Sequence, residues 1–308
     1  MKQVSIDRDE IENILSSQNL GSVISSEELK SGSINPVFLI NDKYILRIDT
    51  GDSENKDKFK KEAMLFEVLS KFSIPVPKII VFDDSCRLIK YPYILMSNIE
   101  GRDLKDVFLT QKHETQNELS SELGALAKNI HAISSIDLGN AVIFGDIKSW
   151  VDNEKENFRK YWSSIKKDNY FSKDICDKVE KIFSDYQKLT NWEEVGRLTH
   201  GDFSCGNIKV NSGHIVGVFD FEFANIADPL YDLQKLPIAF QLGDGFDKGL
   251  FLENYMTREF TIQEITRLKM YCITQGVWEI WACETQQFPY GQKEIDEGKQ
   301  LITNTIYG

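Results

Sequence analysis

One stretch constrains this 308-residue chain more than any other. His200-Gly201-Asp202-Phe203-Ser204-Cys205-Gly206-Asn207 leads into two short apolar runs, Ile208 to Val210 and Ile215 to Phe219. Between them stands Asn211-Ser212-Gly213, a turn signal, so the runs are expected to pair as a hairpin. Asp220-Phe221-Glu222 follows at once. Asp202 and Asn207 then flank the loop entering the hairpin, and Asp220 ends its second strand. Three oxygen-bearing side chains are expected to point at one place.

Phosphoryl transfer needs such a set. Mg²⁺ takes hard oxygen ligands, few of them from protein and the rest from phosphates and water. A carboxylate must also orient the attacking hydroxyl and accept its proton. Carboxylate, amide and carboxylate meet both needs. The interval from Asp202 to Asn207 equals that of the catalytic loop in protein kinases, and Asp220-Phe221 resembles the start of their metal-binding motif.

The first third of the chain is strand-rich. Val37 to Ile40 and Lys43 to Ile48 flank Asn41-Asp42, a second turn signal. Alternation puts Lys43, Ile45 and Arg47 on one face and Tyr44, Leu46 and Ile48 on the other. Residues 57–72 read as a helix, with Phe59, Leu65, Phe66 and Leu69 at helical spacing. Glu62 falls near that apolar stripe, where a carboxylate is costly unless paired, and Arg47 is the candidate partner. Lys78 to Phe82 and Tyr93 to Met96 read as strands, and Ser97 to Gly101 as a connector. Gln116 to Ile133 reads as a helix, and the remainder is mostly helical apart from 198–223.

Charge and cysteines narrow the classes of partner. The net charge is −12, with a pI of about 5.0. A nucleic-acid binder would carry a basic face, whereas an acidic cleft suits a cationic ligand. Cysteines 86, 176, 205, 272 and 283 include no C-x-x-C pair, which argues against a disulfide framework or structural zinc and for the cytoplasm. No stretch reads as a signal peptide or membrane span.

His-Gly-Asp-Phe-x-x-x-Asn, then Val218-Phe219-Asp220-Phe221-Glu222-Phe223-Ala224, then Asp228-Pro229-Leu230-Tyr231-Asp232-Leu233, resembles the aminoglycoside phosphotransferase and choline-kinase-like family. The resemblance is most specific in 199–233 and runs from about residue 20 to the end. It implies an α+β, bilobal protein-kinase-like fold. Residues 1–96 would form a small β-rich nucleotide-binding lobe, 97–101 a hinge, and 102–308 a larger, mostly helical catalytic and substrate-binding lobe. It implies Asp202 as catalytic base, Asn207 and Asp220 as Mg²⁺ ligands, and ATP or GTP as donor. Asp232 would brace the loop, and His131 would carry no chemistry. Ser31, Gly32 and Ser33 match the nucleotide-covering loop. Arg47 falls where kinases place the phosphate-holding lysine, with Glu62 as its helix partner. Met96, Ser97 and Ile99 match the segment beside the base. Trp278, Glu279 and Glu284, with Glu222 after the metal-binding aspartate, are the candidates for holding a polyaminated sugar.

An ordinary protein kinase fits less well. Gly201 stands where such kinases carry Arg, and only a short link separates Asp220 from Asp228-Pro229. No G-x-x-x-x-G-K-[ST] occurs, which excludes a P-loop enzyme. A kinase of choline, homoserine, a ketoamine or a thiosugar shares the same motifs. A catalytically inactive nucleotide-binding module is the reading from another class.

Overall fold

The computed structural model describes residues 6–29, 36–50, 58–139, 145–168, 170–190, 192, 195–235, 242–285 and 291–308. It falls into two compact units: Met1–Asp103 with Asn207–Glu222, and Leu104–Gly206 with Phe223–Gly308.

The first unit opens with helix α1, Arg8–Ser17. A capping box between Asp7 and Glu10 starts it and satisfies N–H groups that the helix cannot. The strands β1 (Ser26–Glu28), β2 (Val37–Ile40) and β3 (Tyr44–Ile48) follow, then α2 (Lys58–Lys71), β4 (Ile79–Asp83) and β5 (Tyr93–Ser97). These strands form one antiparallel sheet in the order β1-β2-β3-β5-β4. Ile11, Ile14 and Leu15 of α1 pack with Leu46, Ile48, Tyr93 and Leu95 in one core. The alternate face of β3 carries Arg47 toward Glu62 of α2. Both faces of the sheet are therefore covered, and Arg47 is buried although it is charged.

A second, three-stranded sheet belongs to the same unit. β6, Arg102–Asp103, pairs with a hairpin strand that lies a hundred residues further on, Arg102 opposite Val210. That pairing, with the contact of Ile99 on Gly217 and the Val218 N–H donating to the Pro75 carbonyl at 2.7 Å, groups 207–222 with the first part of the chain.

The second unit begins with α3 (Leu104–Val107), α4 (His113–His131), α5 (Ile147–Ile165) and α6 (Lys173–Gln187). Leu119, Leu123, Leu126 and Ile130 of α4 are buried, as their spacing requires. β7 (Arg197–Thr199) precedes the hairpin strands β8 (Ile208–Asn211) and β9 (His214–Val218), and pairs with β10 (Asn225–Ala227). Then come α7 (Lys248–Tyr255), α8 (Ile262–Glu284) and α9 (Gln292–Tyr307). α8 and α9 cross at Gly276 and Gly298. A Cβ on Gly276 would meet the Gly298 carbonyl at 2.6 Å, so neither position accepts a side chain without separating the helices. Among the described residues no helix is long and apolar enough to cross a membrane.

The start of α8 carries a testable pH dependence. Glu264 accepts from Thr261 N at 2.8 Å and Thr261 Oγ1 at 2.9 Å, and from Arg258 at 2.7 and 2.8 Å. The Arg258 fork, above all, holds its carboxyl down from the ordinary 4.5 to about 2. The unfolded chain takes up that proton first, so the stabilisation is present above about 4.5 and is lost as pH falls toward 2. Glu264→Gln is expected to cost about 1 kcal/mol at neutral pH. That difference should shrink in urea unfolding as the pH is lowered through this window, and a difference constant with pH would refute the assignment.

Candidate functional site

The first unit holds one group of candidate residues. Ile208 pairs with Val218 across the β8–β9 hairpin, and Phe219 N donates to the Asn207 carbonyl at 3.1 Å. Asn207 and Asp220 therefore stand together at the open end of the hairpin, one just before β8 and the other just beyond Phe219. Asp220 has φ 66, a left-handed conformation that costs a non-glycine residue energy and clusters at functional sites.

Arg47 ties this end of the hairpin to the helix. Its Nη1 donates to both Glu62 oxygens, at 2.8 and 2.7 Å, and its Nη2 to Asp220 Oδ1 at 3.2 Å. Burial works against the charged guanidinium, but Glu62, Asp220 and Glu222 outweigh it and hold the proton firmly. Burial pushes the Glu62 carboxyl up, and Arg47 pulls it back. The expected Arg47–Glu62 pair is present, and Glu222 acts on it through its field.

The second unit holds Asp202 on a loop braced from below. Asp232 is buried and accepts from His200 N at 2.7 Å and Gly201 N at 2.9 Å. His131 Nε2 lies 2.9 Å from Asp232 Oδ2, and its Nδ1 lies 3.0 Å from the Tyr255 hydroxyl. Asp202 N then donates to His200 Nδ1 at 3.2 Å. Gly201 has φ +82, and a Cβ there would meet the Phe223 carbonyl at 2.4 Å. This is why the loop carries glycine where protein kinases carry arginine. Asp202 Oδ1 accepts from Lys235 Nζ at 3.1 Å.

The remaining candidates are more dispersed. Met96 is buried in β5. Ser97 N donates to the Lys78 carbonyl at 2.9 Å, and Ser97 Oγ accepts from Lys78 N at 2.9 Å. Ile99 packs on Gly217, where a Cβ would meet Ile99 Cδ1 at 2.4 Å. Ser31, Gly32 and Ser33 lie outside the described residues. On α8, Trp278 is half-buried, and Trp281 packs on Tyr161 at 4.5 Å between ring centroids. Glu279 Oε1 accepts from Gln275 at 2.9 Å, while its Oε2 is buried with no hydrogen-bond partner. Glu284 accepts from the Tyr170 hydroxyl. Five positions along a helix turn these two glutamates to different faces. The cluster suggested by sequence is therefore divided.

Lys235 and Glu154 were not singled out by sequence reasoning. Burial lifts the Glu154 carboxyl on α5 to about 7. Its neighbours in the fold are tyrosines 161, 186 and 231, so no local motif marks it.

The fold and these braced loops define a kinase-like phosphotransferase. A match to the family described as "APH: Phosphotransferase enzyme family" covers residues 25–268, and the chain belongs to that family. It is thus an enzyme that transfers phosphoryl groups to a hydroxyl acceptor. No curated protein matches the sequence. Solved structures do. A putative aminoglycoside phosphotransferase from Ralstonia eutropha has a TM-score of 0.73 at 15% identity, covering 98% of this chain and 97% of that one. The GDP and kanamycin complex of APH(2")-IIIa has a TM-score of 0.69 at 19% identity, covering 97% and 98%. The streptomycin–ATP complex of APH(2")-IIa has 0.64 at 17%, covering 98% and 97%. At these identities the likeness establishes the kinase-like fold.

Proposed function

We propose that this enzyme moves the γ-phosphate of ATP or GTP to a hydroxyl of an aminoglycoside. The observation that carries the nucleotide half is the joining, within one unit, of Asn207, Asp220, Arg47 and Glu62. Asn207 and Asp220 offer one amide and one carboxylate oxygen at the open end of the hairpin. Two hard oxygens suit Mg²⁺, which fills its remaining positions with phosphate and water oxygens. Bound there, Mg²⁺ would neutralise charge on the phosphates.

Each residue then has a part. Arg47 orients phosphate while Glu62 fixes its fork. Met96, Ser97 and Ile99 line the base, and Ser31, Gly32 and Ser33 cover the phosphates. Residues 97–101 act as the hinge. Asp202 accepts a hydrogen bond from the acceptor hydroxyl, orients its oxygen, and takes its proton as the O–P bond forms and the nucleoside diphosphate leaves. Asp232 and His200 hold that carboxylate in place without touching the acceptor.

The acceptor assignment rests on charge. A chain of net charge −12 attracts cations, and Glu222, Glu279, Glu284 and Trp278 supply carboxylates and an aromatic face. Two structural neighbours are complexes with kanamycin and streptomycin. One observation favours a smaller metabolite such as choline or homoserine. Glu284 is engaged by Tyr170 and Lys235 sits on Asp202, which leaves fewer carboxylates for a polycation. The free cysteines suit a reducing cytoplasm.

Mass spectrometry of a panel decides between them. Aminoglycosides, choline, homoserine and amino sugars are each incubated with Mg²⁺ and either ATP or GTP. Addition of one phosphoryl group to an aminoglycoside is the expected result. Phosphorylation of a metabolite alone would replace the acceptor and keep the mechanism. No product, with nucleotide binding intact, would favour a regulatory module.

A further inference from the structure

Lys235 follows the short 3-10 turn Pro229–Leu233, and nothing in the motifs marks it. Its ammonium donates to Asp202 Oδ1 at 3.1 Å, with the two side chains 23% and 38% exposed. Its field also acts on one other group of the same unit. Burial pushes the Glu279 carboxyl up, and the Gln275 hydrogen bond and, after it, the charge of Lys235 pull it back. One cation thus pairs with Asp202 and acts through its field on Glu279 of α8.

A half-exposed pair of this kind contributes little to folding, because solvent screens it. Its value lies in geometry. A base acts only when its oxygen is aimed, and misplacement by about 1 Å costs on the order of 10²-fold. The loop braces the backbone of Asp202 through His200, but that hydrogen bond does not fix the rotation of the carboxylate.

We propose that Lys235 is a positioning residue that aims the Asp202 carboxylate and sets the charge beside the reacting hydroxyl. This rests on Asp202 being the base. A fixed ammonium next to that base disfavours an acceptor ammonium on the carbon adjacent to the reacting hydroxyl. Lys235 therefore narrows the choice of hydroxyl as well as orienting the base.

Two measurements test this together. In the first, kcat and KM are determined with whichever panel acceptor is phosphorylated. Lys235→Gln is expected to lower kcat about tenfold or more, with the KM of a cationic acceptor unchanged or lower. Lys235→Arg should recover most of the loss, and melting temperatures should stay together. A raised KM at unchanged kcat, or no recovery by Arg, would overturn the proposal. In the second, the rate at which acetic anhydride modifies Lys235 is followed by peptide mass spectrometry. Asp202→Asn should raise that rate about two- to fivefold, since it removes the partner. An equal rate would overturn the pairing. The second measurement needs no acceptor, so it stands even if the aminoglycoside reading fails.

Discussion

Replacing Asp202 with alanine is expected to lower turnover about 10³-fold or more while changing nucleotide affinity less than about threefold. The separation follows from how the loop is held. The contacts that fix it run from Asp232 to the backbone of His200 and Gly201, and from His200 Nδ1 to the backbone of Asp202. None uses the Asp202 carboxylate, so truncation removes the base and leaves its platform. The ion pair to Lys235 that is lost is partly exposed and contributes at most about 1 kcal/mol to stability. Steady-state turnover and equilibrium nucleotide binding on the same preparation check this. Retained turnover with lost nucleotide affinity would invert the assignment.

Arg47→Met is expected to destabilise the first unit by about 3–5 kcal/mol. Glu62 is wholly buried and receives both hydrogen bonds of one guanidinium nitrogen. Methionine fills much of the space but offers no donor, so a carboxylate would be stranded in apolar surroundings. The cell of interactions also includes Asp220, which would lose its 3.2 Å contact. Arg47→Lys keeps the charge and loses the fork, and is expected to cost less. The diagnostic variant is the double replacement Arg47→Met with Glu62→Leu, which removes both buried charges and should recover a large part of the loss. Urea unfolding checks all three. A cost below about 1 kcal/mol for Arg47→Met would mean the pair is not buried as described.

The parts of the site that sequence revealed were those set by local periodicity. Alternation along β3 and the 3.6-residue period of α2 were enough to bring Arg47 to Glu62. The Asn211-Ser212-Gly213 turn was enough to register the hairpin that carries Asn207 and Asp220. Asp232 could be read as a brace from its place in Asp228-Pro229-Leu230-Tyr231-Asp232-Leu233. α1 went unread although its signal was present: Asp7 and Glu10 as a capping box, then Ile11, Ile14 and Leu15 on one face. β10 is three residues long and pairs with another three-residue strand, too short for any period to show.

Other features were illegible for a different reason. Lys235 and Asp202 are 33 residues apart, and Tyr170 and Glu284 are 114 apart, so only the folded chain brings them together. The grouping of 207–222 with the first unit likewise depends on Arg102 meeting Val210, a pairing no local pattern encodes. The glycine at 201 was legible as a departure from protein kinases, but its cause, the Phe223 carbonyl, was not.

The account rests most on Asn207 and Asp220 holding the ion that positions the nucleotide. The most direct measurement is calorimetric titration of ATP and GTP into the wild-type protein and Asp220→Ala, each with Mg²⁺ and with chelator. The wild type should bind at least about tenfold more tightly with Mg²⁺, and Asp220→Ala should lose that difference while keeping its fold. An Mg²⁺-dependent gain that survives the loss of Asp220 would contradict the account.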